Sequence, residues 1–205
     1  KAMKMVSAAK LRRAQQAIQQ FRPYANRLNV TLSHIMSGGD AGAGMALGKA
    51  TDKNKVLYVV VTSDRGLCGA FNSNILKTGY AYLNENYSNQ LAAGNVSFLC
   101  IGKKGFEFYK RRFPNARFIT EYQHLYANTD FELVSRLADR LMIDFNQGTF
   151  DQIELYYSRF KNAATQFPER EQYLPVAKLV SSTETPSKTK ADYIFEPDQQ
   201  QLLEE

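Results

Sequence analysis

Leu11, Ala14, Ile18, Phe21, Ala25, Leu28, Leu32 and Ile35 follow one another at alternating spacings of three and four residues. That rhythm keeps an apolar line on one face of a helix and is the seam of a coiled coil. Apolar surface left in water costs about 25 cal/mol per Å², so a stripe this long calls for a second apolar helix to cover it. No comparable stripe recurs further along the chain. The mate of this helix is therefore expected to lie outside the sequence or in another molecule.

Charge sharpens the expectation. Lys1, Lys4, Lys10, Arg12, Arg13, Arg22 and Arg27 all precede the first acid, Asp40. Seven of the 26 bases thus meet no acid, which leaves 19 bases against all 20 acids in the remainder, and the formal net charge of +6 belongs essentially to this helix. A basic helix that also carries a seam suits an acidic or polyanionic neighbour. A basic region leading into heptads is also the layout of a zipper that binds DNA. Here, however, the bases are interleaved with the seam, and Met3, Met5, Val6, Ala8 and Ala9 make the basic end itself apolar.

The chain has 205 residues, enough for one domain with a full core and an appendage. No run approaches the twenty or so apolar residues of a membrane span. Two cysteines, Cys68 and Cys100, imply neither a disulfide framework nor a metal cluster, and read as reduced thiols in a reducing compartment.

The helix is expected over about Lys1 to Met36, with a kink or loosening at Pro23, whose ring removes a hydrogen bond and crowds the preceding turn. Gly38, Gly39, Gly42, Gly44 and Gly48 then mark a connector. From Val56 the pattern changes. Val56–Thr62 is almost wholly apolar, as a strand buried on both faces should be, and a glycine turn and a helix over about Asn74–Leu91 follow it. Val96–Ile101 reads as a second strand, Gly105–Arg112 as a basic helix and Arg117–Thr120 as a third strand. Thr129–Asn146 reads as an amphipathic helix starting at Asp130, with Phe131, Val134, Leu137, Ala138, Leu141 and Phe145 on its apolar face. A fourth strand over Ile153–Lys161 alternates Ile153, Leu155 and Tyr157 with Glu154, Tyr156 and Ser158, and Glu171–Leu179 can pair with it as a hairpin. Tyr193–Pro197 reads as extended and Gln199–Glu205 as the start of a helix. The fold class is α/β: a Rossmann-like, mostly parallel sheet with helices on both faces and a mixed hairpin edge, plus the long N-terminal coiled-coil helix. The expected divisions are the helix at 1–37, the connector at 38–54, the α/β domain at 55–180, and a loop with the beginning of a further helix at 181–205.

Two glycine-rich stretches invite a nucleotide reading. Gly44–Lys49 has three residues between its glycines where a phosphate loop needs four, and it precedes a strand instead of following one. Thr62–Asn72 is better placed, after a buried strand and before a helix, where open α/β sheets bind ligands. A phosphate could sit on that helix start with Arg65 neutralising it. The plainer alternative is a structural turn in which Gly66 and Gly69 fit the tight path while Asp64 and Arg65 are held by neighbouring backbone and charges. Cys68 would be a nucleophile only beside a histidine, and the two available are His34, inside the long helix, and His124, in a loop; a buried, inert thiol is the simpler reading. Tyr58, Phe98, Tyr156 and Tyr157 read as core.

Three segments in order carry a resemblance: Lys1-Ala2-Met3-Lys4-Met5-Val6-Ser7-Ala8-Ala9-Lys10 followed by Arg22-Pro23-Tyr24; Ser63-Asp64-Arg65-Gly66-Leu67-Cys68-Gly69; and Tyr193-Ile194-Phe195-Glu196-Pro197. Together they span nearly the whole chain, and the sequence resembles the gamma subunit family of the F-type ATP synthase. The resemblance implies a sequence short of both ends of the family's pattern, with the first turns of the N-terminal helix and most of a C-terminal helix beyond it. In that family the two helices form an antiparallel coiled coil, which supplies the mate for Leu11, Ile18, Phe21, Leu28, Leu32 and Ile35.

The resemblance further implies a rotor without catalytic residues, cofactor or metal, whose shaft enters the hexamer of alpha and beta subunits. Met3, Lys4, Lys10, Arg12 and Arg13 would face the acidic segment of the beta subunits. The α/β domain would be a foot that binds the epsilon subunit, with Arg22, Tyr24, Tyr193, Phe195 and Glu196 nearest the c ring of the membrane sector. Neither nucleic acid nor a small-molecule substrate is an expected partner. The foot lacks an insertion with paired regulatory cysteines, so the chloroplast form is not implied. The expected location is peripheral, on the cytoplasmic face of a bacterial plasma membrane rather than the matrix side of the mitochondrial inner membrane.

Overall fold

The computed structural model describes residues 2–38, 54–128, 130–162 and 165–176 of the chain. They fall into two units, a long helix and an α/β domain. Helix α1 spans Ala2–Gly38, 37 residues, or about 55 Å at 1.5 Å per residue. It continues through Pro23 as one helix, as its sequence-based span of about Lys1 to Met36 has it. The carbonyl that loses its partner to the proline ring is that of Gln19, and Gln19 is exposed, so water can take the place of the missing amide. The connector and everything after residue 176, including Gly44–Lys49 and Tyr193–Glu196, lie outside the described residues.

The domain runs β1 (Val56–Val61), α2 (Phe71–Asn86), α3 (Ser88–Ala92), β2 (Val96–Ile101), α4 (Lys103–Arg112), β3 (Arg117–Ile119), a 3₁₀ turn (Leu125–Asn128), α5 (Phe131–Asn146), β4 (Gln152–Phe160) and β5 (Gln166–Leu174). The five strands lie in the order β3-β2-β1-β4-β5. All neighbours are parallel except the β4–β5 hairpin, so the sheet is mixed at one edge as its sequence indicates. The central strand β1 is Val-Leu-Tyr-Val-Val-Val, with its first five residues buried and the last half-buried. Such a run needs cover on both faces, and the crossovers provide it. Parallel crossovers share one hand, so the connections stepping from β1 to β3 lay α2 and α4 on one face, whereas the connection returning past β1 to β4 lays α5 on the other. Val56, Tyr58, Val60, Val96, Phe98, Cys100 and Tyr156 pack beneath α2 and α4 with Ile75, Leu83 and Tyr109. Leu57, Val59, Leu99 and Ile153 pack beneath α5 with Leu137, Leu141 and Phe145.

Several expectations shift. The single helix expected over Asn74–Leu91 starts at Phe71 and breaks at Tyr87 into α2 and α3. Helix α5 starts after Asp130 as expected, yet the Asp130 side chain makes no capping bond, and Phe131, expected on the buried face, stands in solvent with Val134. Leu137, Leu141 and Phe145 are buried as expected, and Asp144 is buried with them. In β4 the polar positions Gln152 and Glu154 are as buried as Ile153. Strand β5 begins at Gln166, five residues before the sequence-based start. Of the two free cysteines Cys100 is buried but Cys68 is exposed, which corrects the reading of Cys68 as a buried thiol; it lies in the turn ahead of α2, where no layer covers it.

Candidate functional site

Helix α1 presents its charges and much of its seam to solvent. Met3, Lys4, Lys10, Arg12 and Arg13 are exposed, Met3 to 86 %. Of the seam, Leu11, Phe21 and Leu28 are also exposed, while Ile18 and Ala25 are half-buried. Leu32 and Ile35 fall on the same helix, with side chains outside the described set. Near Pro23 the Phe21 and Tyr24 rings sit 6.0 Å apart at a tilt, and Arg22 is exposed beside them. No acid occurs among residues 1–39, so no carboxylate on the helix itself offsets its cations.

The turn between β1 and α2 is built around two helix starts. Three successive groups at the end of β1 satisfy the first amides of α4. Asp64 Oδ1 accepts from Lys103 N at 3.0 Å, the Ser63 carbonyl from Lys104 N at 3.2 Å, and Thr62 Oγ1 from Gly105 N at 2.8 Å. These are the donors that would otherwise bind an anion at a helix N-terminus. The Asn72 carboxamide closes the other side. Its Oδ1 accepts from Ser63 N at 3.0 Å, and its Nδ2 lies 2.8 Å from Ser63 Oγ, 3.3 Å from the Arg65 carbonyl and 3.2 Å from Cys68 Sγ. Gly69 takes φ +60°. Gly66 lies beside Lys104, and the Arg65 side chain is exposed. Among the described residues the polar partners of the Cys68 thiol are Ser63, Arg65 and Asn72, with no histidine among them.

A second polar constellation has no counterpart among the sequence-based candidates. Glu154, 0 % exposed, receives Arg170 Nε on Oε2 at 2.6 Å and Arg170 Nη2 on Oε1 at 3.0 Å. Tyr87 Oη donates to Oε1 at 2.7 Å, and Gln152 Nε2 donates to the same oxygen. The Arg170 guanidinium lies over the Tyr82 ring, 5.0 Å from its centroid. Its fork on Glu154 holds Arg170 more firmly protonated than an ordinary arginine, while burial, and then the bond to Glu154, push the Tyr87 phenol upward. A carboxylate that takes four donors and is sealed from water is a structural tie.

The remaining hollows are shallow. One, about 300 Å³ and open, lies between α2 and α4 and is lined by Asn72, Leu76, Lys77, Lys104, Phe108 and Arg111. Another, about 150 Å³, lies between β3 and α5 beside the Arg140–Asp144 pair. Among the described residues no group of three or more His, Cys, Asp or Glu side chains could hold a metal ion, and no described helix is long and apolar enough to cross a membrane.

Comparison with known proteins bears on the whole chain. The family profile described as ATP synthase matches residues 1–205. The ATP synthase gamma chain of Cytophaga hutchinsonii is 44 % identical over 205 residues, covering 100 % of this chain and 69 % of that one. That of Flavobacterium johnsoniae is 40 % identical over 202 residues, covering 98 % of this chain and 67 % of that one. The fold recurs at TM-score 0.60 and 23 % identity in the central stalk and c-ring structure of the Tetrahymena thermophila mitochondrial ATP synthase, over 99 % of this chain and 83 % of that one. A family profile over the whole chain and relatives at this identity and coverage establish the lineage: the chain belongs to the ATP synthase gamma chain family.

Proposed function

We propose that this chain is the non-catalytic rotor, or central stalk, subunit of a proton-translocating F-type ATP synthase, coupling rotation of the membrane c ring to conformational change in the catalytic beta subunits. The observation that carries the reading is the exposed seam of α1. Leu11, Phe21 and Leu28 stand in solvent on a basic helix, and a two-stranded shaft gives that stripe its mate.

In this reading residues 1–37 are one strand of the shaft, 38–54 a connector, 55–180 the foot, and 181–205 the approach to the second strand. Met3, Lys4, Lys10, Arg12 and Arg13 meet the alpha and beta subunits, with acidic segments of beta opposite the cations. The foot binds the epsilon subunit, and Arg22, Tyr24, Tyr193, Phe195 and Glu196 lie towards the c ring. The chain sits peripherally on the cytoplasmic face of the membrane. A two-helix shaft cannot offer the same face to three beta subunits at once, so each is biased towards a different state and rotation carries the bias around. Moving a two-state site from 1:99 to 99:1 takes about 5.5 kcal/mol of differential contact, within reach of many modest contacts along a long helix.

The competing reading, an α/β enzyme or binding domain that takes a phosphorylated ligand at Asp64–Gly69, would set the anion on the start of α2, where Ala70 makes no side-chain capping bond and Phe71 N donates to the Cys68 carbonyl at 3.4 Å. Co-purification separates the two. Full-length chain carrying its C-terminal helix is expected to be retained with alpha and beta subunits, and chain ending at residue 205 is not. Equal retention of both, or phosphate-ester binding that is lost in Arg65→Ala, would overturn the rotor assignment.

A further inference from the structure

Helix α4 reads Lys-Lys-Gly-Phe-Glu-Phe-Tyr-Lys-Arg-Arg, five bases against one acid, and several of its cations share one space. Lys104, Arg111 and Arg112 line the open hollow of about 300 Å³ between α4 and α2, and Lys77 lines it from α2. Among the described residues Glu107 is the one carboxylate on that lining, and Lys104 pairs with it at 2.7 Å. Lys77 and Arg111 make no ion pair among the described residues. The Arg112 guanidinium lies 3.5 Å from the Phe108 ring centroid and 5.3 Å from that of Tyr80, so its charge is held at the rim. The positive field registers on Glu107, whose carboxyl is held below its usual range, first by the bond from Lys104 and then by the charges of Lys104, Lys103 and Arg111. Beneath the cations the floor is apolar, made of buried Leu76 and half-buried Phe108.

We propose that this hollow binds a nucleoside di- or triphosphate, with the phosphates among Lys77, Lys104, Arg111 and Arg112 and the base against Leu76 and Phe108. Charge places the phosphates. Cations on both walls face one space that holds a single acid, a demand that one carboxylate does not meet and a chain of phosphates does. Arginine forks take phosphate oxygens two at a time, and lysine adds a point charge. The floor places the base, because every base offers a flat face to an apolar or aromatic side chain. Size rules out a protein segment: about 300 Å³ suits a small ligand, and a helix about 10–12 Å across does not enter it. No residue of Asp64–Gly69 lines the hollow, so this site is separate from the competing reading of that turn. It belongs to the α/β domain alone and stands whether or not the chain turns as a rotor.

The test uses full-length chain without alpha and beta subunits and follows binding by calorimetry. ATP and ADP are expected to bind with a Kd below about 1 mM and to raise the unfolding temperature. Inorganic triphosphate is expected to bind at least tenfold more weakly than ATP, because it leaves the floor uncovered. The double variant Lys77→Ala/Arg111→Ala is expected to unfold at the wild-type temperature without nucleotide and to bind ATP at least tenfold more weakly. Glu107→Gln removes the repelling carboxylate and frees Lys104, and is expected to bind ATP at least about twofold more tightly, a gain that misfolding cannot imitate. Should the double variant unfold early, Glu107→Gln decides by itself. Absence of saturable binding at millimolar ATP, unchanged affinity in the double variant, weaker binding in Glu107→Gln, or equal affinity for ATP and inorganic triphosphate overturns the proposal. So does capture of wild-type chain, but not of the double variant, by vesicles of phosphatidylcholine and phosphatidylglycerol in equal parts without any nucleotide binding, which would put a lipid headgroup in the hollow. Nucleotide binding that is lost in Arg65→Ala and kept in the double variant would belong to Asp64–Gly69 and would overturn this proposal and the rotor assignment together, whereas no nucleotide binding at all removes this proposal alone.

Discussion

Glu154 brings a carboxyl group into a sheet face that also holds Tyr58, Phe98 and Tyr156, and four donors meet its two oxygens there. Removing one partner of a buried pair leaves an uncompensated charge, at a cost of about 3–5 kcal/mol. Arg170→Ala is accordingly expected to lower unfolding stability by about 3 kcal/mol, the lower end because Arg170 is partly exposed; denaturant titration measures it, and a loss below about 1 kcal/mol would show that water replaces the guanidinium. Gly102 is a second sensitive point. It adopts φ +100°, and a Cβ there would lie 2.1 Å from the Thr62 carbonyl oxygen, so Gly102→Ala combines backbone strain with a clash against backbone, each worth about 1–3 kcal/mol. A folded Gly102→Ala chain of near wild-type stability would contradict the described path of the β2–α4 junction. Neither site was legible beforehand, for a physical reason. The sequence-based hairpin strand started at Glu171 and so left Arg170 just outside it, where it could not be seen to face Glu154. The role of Gly102 depends on its approach to Thr62, forty residues away, which no local pattern records.

At the scale of elements, strands and helices were legible where local pattern and tertiary demand agree. The β1 run and Val96–Ile101 announced themselves by continuous apolarity, and both are buried on two faces. Element ends were less legible where the tertiary environment decides, as at Tyr87, which leaves the helix to place its hydroxyl on Glu154. The sheet face under α2 and α4 also has a pH signature. Burial raises the Cys100 thiol from 9.0 to about 12 and lifts the phenols of Tyr58 and Tyr109 above their ordinary range. In each case the folded chain holds a proton that the unfolded chain releases more readily. The stabilisation is therefore fully present below about pH 9 and is lost as pH rises from there towards about 12. Thermal unfolding is expected to show a midpoint that falls as pH rises from about 9 to 11, and a flat profile would contradict the burial. Thiol reagent at pH 8 is expected to label Cys68 in the native chain and Cys100 only after denaturation. Helix α1 should behave differently from these strands: its amides are expected to exchange with solvent hydrogen well before those of β1 and β2, and to slow when a second long helix covers the seam. Equal protection of α1 without that helix would contradict the missing-mate reading.

For the whole molecule, the two units divide the work that the rotor assignment requires. A long helix whose cations meet no acid of its own and whose apolar stripe is exposed is suited to press on other subunits, and a sheet sealed on both faces and tied at its hairpin edge by Glu154–Arg170 is suited to hold a fixed shape while doing so. The first of these could be read from spacing and charge alone, because a heptad stripe and an acid-free run of 39 residues are properties of sequence. The identity of the partners could not, since complementary surfaces leave no trace in one chain beyond the stripe that awaits them. Single-molecule rotation addresses the claim most directly: full-length chain is assembled with alpha and beta subunits, the hexamer is fixed to a surface, and a bead is attached to the α/β domain. With ATP supplied, the bead is expected to turn in one direction in three equal steps, and more weakly or not at all when Leu11, Phe21 and Leu28 are replaced by serine. ATP hydrolysis by the assembled complex with a stationary bead would contradict the assignment of this chain as the rotor.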